Sequence, residues 1–151
     1  MDKFMSAAIE EAKRGFKRGH GAPFGAVIVK NNEIVGVGHN EVDKKKDPTY
    51  HAELVAIRSA CKKLKTFDLS NCVMYTTLYP CPMCFGAILW SNLEKIYYGC
   101  ATLDTQKIGL RDKIFRKLSE TKKGAMCEKL ESEECLKLYE EYKRREDEHE
   151  R

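Results

Sequence analysis

The sequence lacks any apolar stretch long enough to span a bilayer, and it does not begin with the apolar run of a signal peptide. Met1–Phe4 leads directly into an amphipathic segment instead. Internal repeats, linkers and low-complexity tracts are also missing, so the 151 residues predict a single domain covering 1–151. Together these absences predict a cytoplasmic protein that does not interact with a membrane.

The cysteines lack the pattern of a secreted disulfide framework. They number seven, an odd count, and Cys61, Cys72 and Cys100 stand in apolar runs where buried thiols are common. A second C-x-x-C is missing as well, which excludes a structural zinc site built from two such pairs. The single pair, Cys81 and Cys84, still leaves open a redox pair or a closed zinc site that recruits another cysteine.

Charge of neither sign dominates the sequence. Lys and Arg total 27 against 23 Asp and Glu, giving a formal net charge of +4. The lysines are scattered among acidic residues and do not form one long basic stripe. This distribution is compatible with a nucleic-acid partner but does not favour one.

Residues suited to metal chemistry are present in two short clusters about thirty residues apart, His51-Ala52-Glu53 and Pro80-Cys81-Pro82-Met83-Cys84. One imidazole and two thiolates are zinc ligands, and a catalytic zinc with three protein ligands keeps its fourth tetrahedral position for water. We therefore expect Zn²⁺ as cofactor, with His51, Cys81 and Cys84 as its ligands. Glu53 is then the expected catalytic residue, because an unligated carboxylate can carry protons.

The remaining sequence predicts helices that alternate with strands. The predicted elements are helix 2–18, strands 23–29 and 33–38, helix 48–65, strand 72–78, helix 81–90, strand 95–100, helix 112–118, a strand near 125–130 and a helix from 132. Asn31 and Asn32 predict a hairpin turn, and Asp47 is expected to cap a helix that begins at Pro48. This alternation indicates an α/β fold with helices on both sides of a sheet.

The pairing of H-x-E with P-C-x-x-C is the signature of zinc deaminases, and the chain is identified as resembling the cytidine deaminase-like superfamily. Segments 23–29, 47–53 and 80–90 resemble bacterial guanine deaminases above all, within a similarity that covers roughly 4–118. The resemblance implies a three-layer αβα sandwich with a mixed five-stranded sheet, and conversion of free guanine to xanthine and ammonia. It also implies which residues contact the base: Asn40, Phe24, Ala52 and Asp112.

The resemblance further implies a homodimer. Apolar positions of the helix beginning at Cys81 support this expectation. With Ile88 and Trp90 among them, the helix has more apolar surface than one face of a sheet is expected to cover.

Other substrates stay open. Tyr79 stands before Pro80 where guanine deaminases and tRNA adenosine deaminases usually have glutamate, and the stretch Met74–Leu78 is similar to fungal cytosine deaminase. Cytosine is therefore the first alternative substrate. A tRNA adenosine substrate is the second, with basic residues available for phosphates at Lys44, Lys45, Lys46, Arg111, Lys113 and Lys117. A zinc-stabilised interaction module without activity is a third reading, which the presence of Glu53 disfavours.

Overall fold

The computed structural model describes residues 2–101, 117, 130 and 132–149. The chain divides into two units, Met1–Arg111 and Asp112–Arg151. Within the described residues no helix is both long and apolar enough to cross a membrane. The single domain expected from the sequence stays a prediction.

The first unit alternates helices with strands in the predicted order. Its elements are α1 (Lys3–Lys17), β1 (Gly25–Lys30), β2 (Glu33–His39), α2 (Val42–Lys45), α3 (Ala52–Leu64), β3 (Cys72–Leu78), α4 (Pro82–Trp90) and β4 (Lys95–Cys100). In the second unit the described element is α5 (Ser132–His149), whose exposed side chains form ion pairs three or four residues apart. Apart from the short α2, each of these elements was expected from the sequence.

The four strands form one mixed sheet in the order β2-β1-β3-β4. β1 runs antiparallel to both β2 and β3, whereas β3 and β4 are parallel and are connected by α4. The mixed α/β sheet expected from the resemblance is therefore confirmed. The predicted fifth strand falls near 125–130, of which the structure describes only Leu130.

The hairpin between β1 and β2 turns at the two predicted asparagines. Asn31 and Asn32 have φ angles of 49° and 61°, both in the left-handed region. Two consecutive residues of this kind are typical of a type I′ turn, whose twist matches that of the flanking strands. Asparagine tolerates this conformation, so the local sequence favours the turn. Further along the hairpin the pairing of β1 with β2 shifts register between Ile28 and Val29.

The predicted start of α3 is wrong by four residues. We expected Asp47 to cap a helix beginning at Pro48, but α3 begins at Ala52. The carboxylate of Asp47 instead accepts hydrogen bonds from the backbone N–H and the hydroxyl of Thr49, at 2.8 and 2.7 Å. This local turn competes with the helix for the cap residue. As a result His51 takes the extended conformation of an N-cap, with φ −71° and ψ 155°.

Helices pack against both faces of the sheet, giving three layers. On one face, α1 covers a cluster made by Ala8, Val27 and Val29, with Phe4 and Tyr75 beside it. On the other face, α3 and α4 cover the larger cluster: Ala26, Ile28, Val35, Ala52, Ala56, Ala60, Leu69, Cys72, Met74 and Ile88.

One part of the argument for a dimer is corrected by this packing. Ile88 is only 2% exposed and belongs to the core of its own chain, so it adds nothing to an external surface. Trp90, in contrast, is 88% exposed.

The absence of a side chain at Gly38 allows α3 to lie directly on β2. A Cβ atom there would come within 2.4 Å of the carbonyl oxygen of Ala52 and 2.5 Å of the backbone nitrogen of Ala56. Both atoms belong to the helix backbone, which cannot move aside as a flexible side chain would. The first turn of α3 is therefore held at its position by Gly38.

We expect Gly38→Ala to lower the free energy of unfolding by about 1–3 kcal/mol, because it overpacks this contact. For a chain of this size each kcal/mol corresponds to a decrease of roughly 2–4 °C in Tm. Gly86→Ala in α4 is the matched control, since a Cβ there meets no atom within 4 Å and alanine favours helix. Equal melting temperatures for the two variants would contradict the steric argument.

Candidate functional site

The two sequence clusters meet where α3 and α4 begin. His51 is the N-cap of α3, Cys81 is the N-cap of α4, and Cys84 lies in the first turn of α4. A helix N-terminus carries partial positive charge, which favours thiolate over thiol. Pro82 at the first helical position also helps to start α4, because its fixed φ suits a helix and it lacks the N–H that would be unpaired there.

The three side chains present one donor atom each to a common point. Nδ1 of His51 lies 3.6 Å from Sγ of Cys81 and 3.6 Å from Sγ of Cys84, and all three donor atoms lie within 4.8 Å of one another. Tetrahedral zinc with bonds of about 2.0–2.1 Å to nitrogen and about 2.3 Å to sulfur separates those atoms by about 3.6 Å. The donor set and its spacing therefore fit Zn²⁺ without any rearrangement.

The two thiols differ in acidity. A hydrogen bond from Cys84 lowers the pKa of Cys81 to about 3, with a further contribution from His51, although burial acts in the opposite direction. The same hydrogen bond raises the pKa of Cys84, and burial and the neighbouring Glu53 act in the same direction. Coordination to a cation would hold both sulfurs as thiolates.

Glu53 lies beside the donor set. Its side chain is buried, with the residue only 2% exposed, and its Oε2 lies 3.4 Å from Sγ of Cys84. Its Oε1 faces the hydroxyl of Thr76 at 3.4 Å. An unligated carboxylate next to a metal centre is placed to exchange protons, which is the role expected from the sequence.

Thr76 is a neighbour that the sequence analysis missed. It is 1% exposed in the middle of β3, and its hydroxyl lies 3.2 Å from the carbonyl oxygen of Leu78 as well as near Glu53. Buried polar groups need partners, but Tyr75 and Thr77 in the same strand also carry hydroxyls, so nothing in the sequence singles out Thr76.

The structure describes three of the four residues that were expected to contact a base. Asn40 is buried, its backbone N–H donates to the carbonyl of Phe24 at 3.0 Å, and its Oδ1 accepts from the backbone N–H of Val42 at 3.1 Å. Phe24 packs beside the core cluster to which Ala52 belongs. Asp112 lies outside the described residues. The roles of these four residues stay predictions.

Tyr79, which departs from the family pattern, lies in an aromatic group next to α4. Its ring centroid is 6.3 Å from that of Phe85 in a stacked arrangement and 5.1 Å from that of Tyr98 in an edge-on arrangement. Guanine deaminases and tRNA adenosine deaminases usually have glutamate at this position. In this chain the tyrosine there is part of an aromatic contact.

Cys84→Ala should remove one equivalent of zinc per chain relative to the unmodified protein, because two donors hold the ion far less tightly than three. The sulfur-to-metal charge-transfer absorption of the Co²⁺-substituted protein should decrease, and Tm should fall because metal binding adds folding free energy. Cys100→Ala is the control, since that thiol is exposed and outside the donor set. Unchanged metal content in Cys84→Ala would contradict the site.

Known proteins are similar to this chain in sequence and in structure. Guanine deaminase of Bacillus subtilis (strain 168) is 42% identical over 116 residues, covering 77% of this chain and 74% of that protein. A tRNA-specific adenosine deaminase of Aquifex aeolicus (strain VF5) is 47% identical over 95 residues, covering 63% of this chain and 62% of that protein. The X-ray structure of the Bacillus subtilis guanine deaminase matches with a TM-score of 0.72 over 78% of this chain and 76% of the other, at 42% identity.

A family model gives the same result. The model for the cytidine and deoxycytidylate deaminase zinc-binding region matches residues 1–100, which include every described strand and both helices that carry the donor set. This match spans more than half of the chain, and the identities to relatives lie well above the level at which only a fold is shared. The chain therefore belongs to the cytidine and deoxycytidylate deaminase family of the cytidine deaminase-like superfamily.

Proposed function

We propose that this protein is a zinc-dependent hydrolase that deaminates a free nucleobase, with guanine converted to xanthine and ammonia. The observation that supports it best is the buried carboxylate of Glu53, 3.4 Å from Sγ of Cys84, beside donors that are spaced for zinc. A structural zinc would gain nothing from an unligated carboxylate at that position, whereas a hydrolytic reaction needs a group that moves protons.

Bound Zn²⁺ would supply a nucleophilic water at neutral pH, because coordination lowers the pKa of water from near 16 to about 7. Glu53 takes the water proton at Oε2 and passes it to a ring nitrogen of the base, so that the ring carbon can accept the oxygen. The Glu53 carboxylate then takes the proton of the hydroxyl that has added to the ring carbon and gives it to the amino group. The carbon–nitrogen bond breaks as the new carbonyl forms, and ammonia leaves. The Thr76 hydroxyl faces Oε1 and orients the carboxylate for these transfers.

The preference for guanine rests on the similarity to a bacterial guanine deaminase and on the donors that Asn40 can offer. Because Oδ1 of Asn40 already accepts from Val42, its amide NH₂ is what remains for a ligand. Those N–H groups suit the ring-nitrogen and carbonyl acceptors of guanine. Asp112, an acceptor when ionised, would complement the donor edge of the same base.

A tRNA adenosine substrate is the second proposal, supported by a basic surface next to His51. The ring of Tyr50 has the guanidinium of Arg58 4.6 Å from its centroid and Nζ of Lys45 5.7 Å away. Such an aromatic and basic pairing can contact bases and phosphates of a nucleic acid. Cytosine stays the remaining free-base alternative.

We also propose a cytoplasmic homodimer, as expected from the resemblance. Exposed apolar side chains on or near α4 support a contact between copies: Met83, Leu89, Trp90, Tyr79 and Tyr98. With Ile88 buried, Trp90 is the residue of α4 on which this proposal chiefly depends.

The substrate is tested by ammonia release from guanine, cytosine, adenine, their nucleosides and a tRNA anticodon stem-loop. We expect the highest kcat/KM for guanine, and we expect Glu53→Gln to lower it by about 10²–10⁴-fold while zinc content is retained. Glutamine keeps the shape of Glu53 and can still accept from Thr76, so the loss would report on proton transfer alone. A preference for the stem-loop or for cytosine would overturn guanine, and near-normal turnover by Glu53→Gln would exclude Glu53 as the proton carrier.

Asn40→Asp separates the two functions of this residue. Aspartate retains the side-chain oxygen that accepts from Val42 but loses the amide donors, so kcat/KM for guanine should fall at least about tenfold. Because Asn40 is buried, the added charge should also lower Tm, and circular dichroism checks that the variant is folded at the assay temperature. A tenfold loss corresponds to one hydrogen bond of about 1.4 kcal/mol. Asn31→Asp is the control, because it makes the same change in a hairpin turn. Full activity of Asn40→Asp would show that the amide does not contact the base.

A further inference from the structure

The described residues contain a second group of metal-ligating side chains, formed by His20, His39 and Glu41. Each offers one donor atom, and the three atoms lie within 4.8 Å of one another. His39 ends β2, Glu41 is the N-cap of α2, and His20 lies in the loop after α1. None of the three has a part in the deamination chemistry proposed above.

The loop that carries His20 is held by backbone hydrogen bonds. The N–H of His20 donates to the carbonyl of Gly15, and its own carbonyl accepts from the N–H groups of Asp43 and Lys44, all at 3.0 Å. These bonds connect the loop to α1 on one side and to α2 on the other. The imidazole of His20 is therefore presented from a fixed backbone, which is what a preformed ligand requires.

Distances within the group fit a single small cation. Nδ1 of His20 is 2.8 Å from Nε2 of His39, and Nε2 of His39 is 3.8 Å from Oε1 of Glu41. Ligand atoms bound to one zinc ion at about 2.0–2.2 Å lie roughly 2.9–3.5 Å apart, depending on coordination number. The distance between His20 and His39 lies just below this range, the distance between His39 and Glu41 lies just above it, and the donor atoms of His20 and Glu41 lie within 4.8 Å of each other.

A buried carboxylate orients the central imidazole. Nδ1 of His39 lies 2.9 Å from Oε1 of Glu11, and Oε2 of Glu11 is 3.0 Å from the guanidinium of Arg14. Both His39 and Glu11 are buried. With its Nδ1–H donated to this carboxylate, His39 directs the lone pair of Nε2 towards His20 and Glu41. A carboxylate that holds a histidine in this tautomer is the usual second partner of metal-bound imidazoles.

A cation could replace the present hydrogen bonds and ion pairs of the group with little loss of free energy. His20 can move its proton from Nδ1 to Nε2, which keeps the ring neutral and frees Nδ1 as a ligand. Lys44 contacts Oε1 of Glu41 at 3.3 Å, but its side chain is 45% exposed, and a partly exposed pair of this kind is weak. No proton or charge has to be lost from the protein.

We propose that His20, His39 and Glu41 bind a second divalent cation of the first transition row, with Zn²⁺ as the ion that the donor set suits best. Two imidazoles and one carboxylate form the ligand set of several zinc enzymes, and Glu11 acts here by positioning His39. Because His39 and Glu41 flank Asn40, the ion holds the backbone on both sides of that residue.

The test counts bound metal in the full-length protein. Purified protein is equilibrated with micromolar free Zn²⁺, separated from free ion and analysed for zinc by mass spectrometry. We expect two equivalents in the unmodified chain and one equivalent in both His20→Ala and Glu41→Gln, with the thiolate site still filled. Glu11→Gln should weaken binding of the second ion by about 10–100-fold.

Several variants keep the result interpretable. His149→Ala removes a histidine from α5 and should retain two equivalents, whereas Cys84→Ala should retain the ion held by His20, His39 and Glu41. His20 lies in a loop and is partly exposed, so His20→Ala should fold, as judged by circular dichroism. A single equivalent in the unmodified chain, or two in His20→Ala, would overturn the proposal.

Discussion

The first unit depends on one constraint: three donor atoms must meet where two helices begin. Each sulfur lies 3.6 Å from the same imidazole nitrogen. Two distant parts of the chain must come together to meet it. The contact of α3 with β2 at Gly38 holds His51, and the parallel connection from β3 through α4 to β4 holds both cysteines. The sheet thus acts as the frame that brings the two helix N-termini to one point.

The same junction buries a carboxylate, which is unfavourable unless it is hydrogen-bonded. Glu53 has weak, long contacts with Thr76 and Cys84, and neither partner is a cation. The hydrophobic clusters on both faces of the sheet offset the free energy that burying this carboxylate costs.

Asn40 stands between two arrangements of functional side chains. Its neighbours His39 and Glu41 belong to the second group of ligands, while its own backbone is tied to Phe24. A change in the His20, His39 and Glu41 group would therefore act on the proposed base contact through the backbone.

The sequence by itself pointed to the three donor residues, to Glu53 beside them and to most helix and strand boundaries, because residue type, spacing and periodicity are local properties. His51, Cys81 and Cys84 could be chosen without coordinates, and so could the turn at Asn31-Asn32. Only the tertiary structure decided what depends on contacts between distant segments. It placed Thr76 against Glu53, buried Ile88 and assembled His20, His39 and Glu41. Each of these depends on which surface a side chain meets after the chain has folded. The later start of α3 has a local cause instead, the turn that Asp47 forms with Thr49.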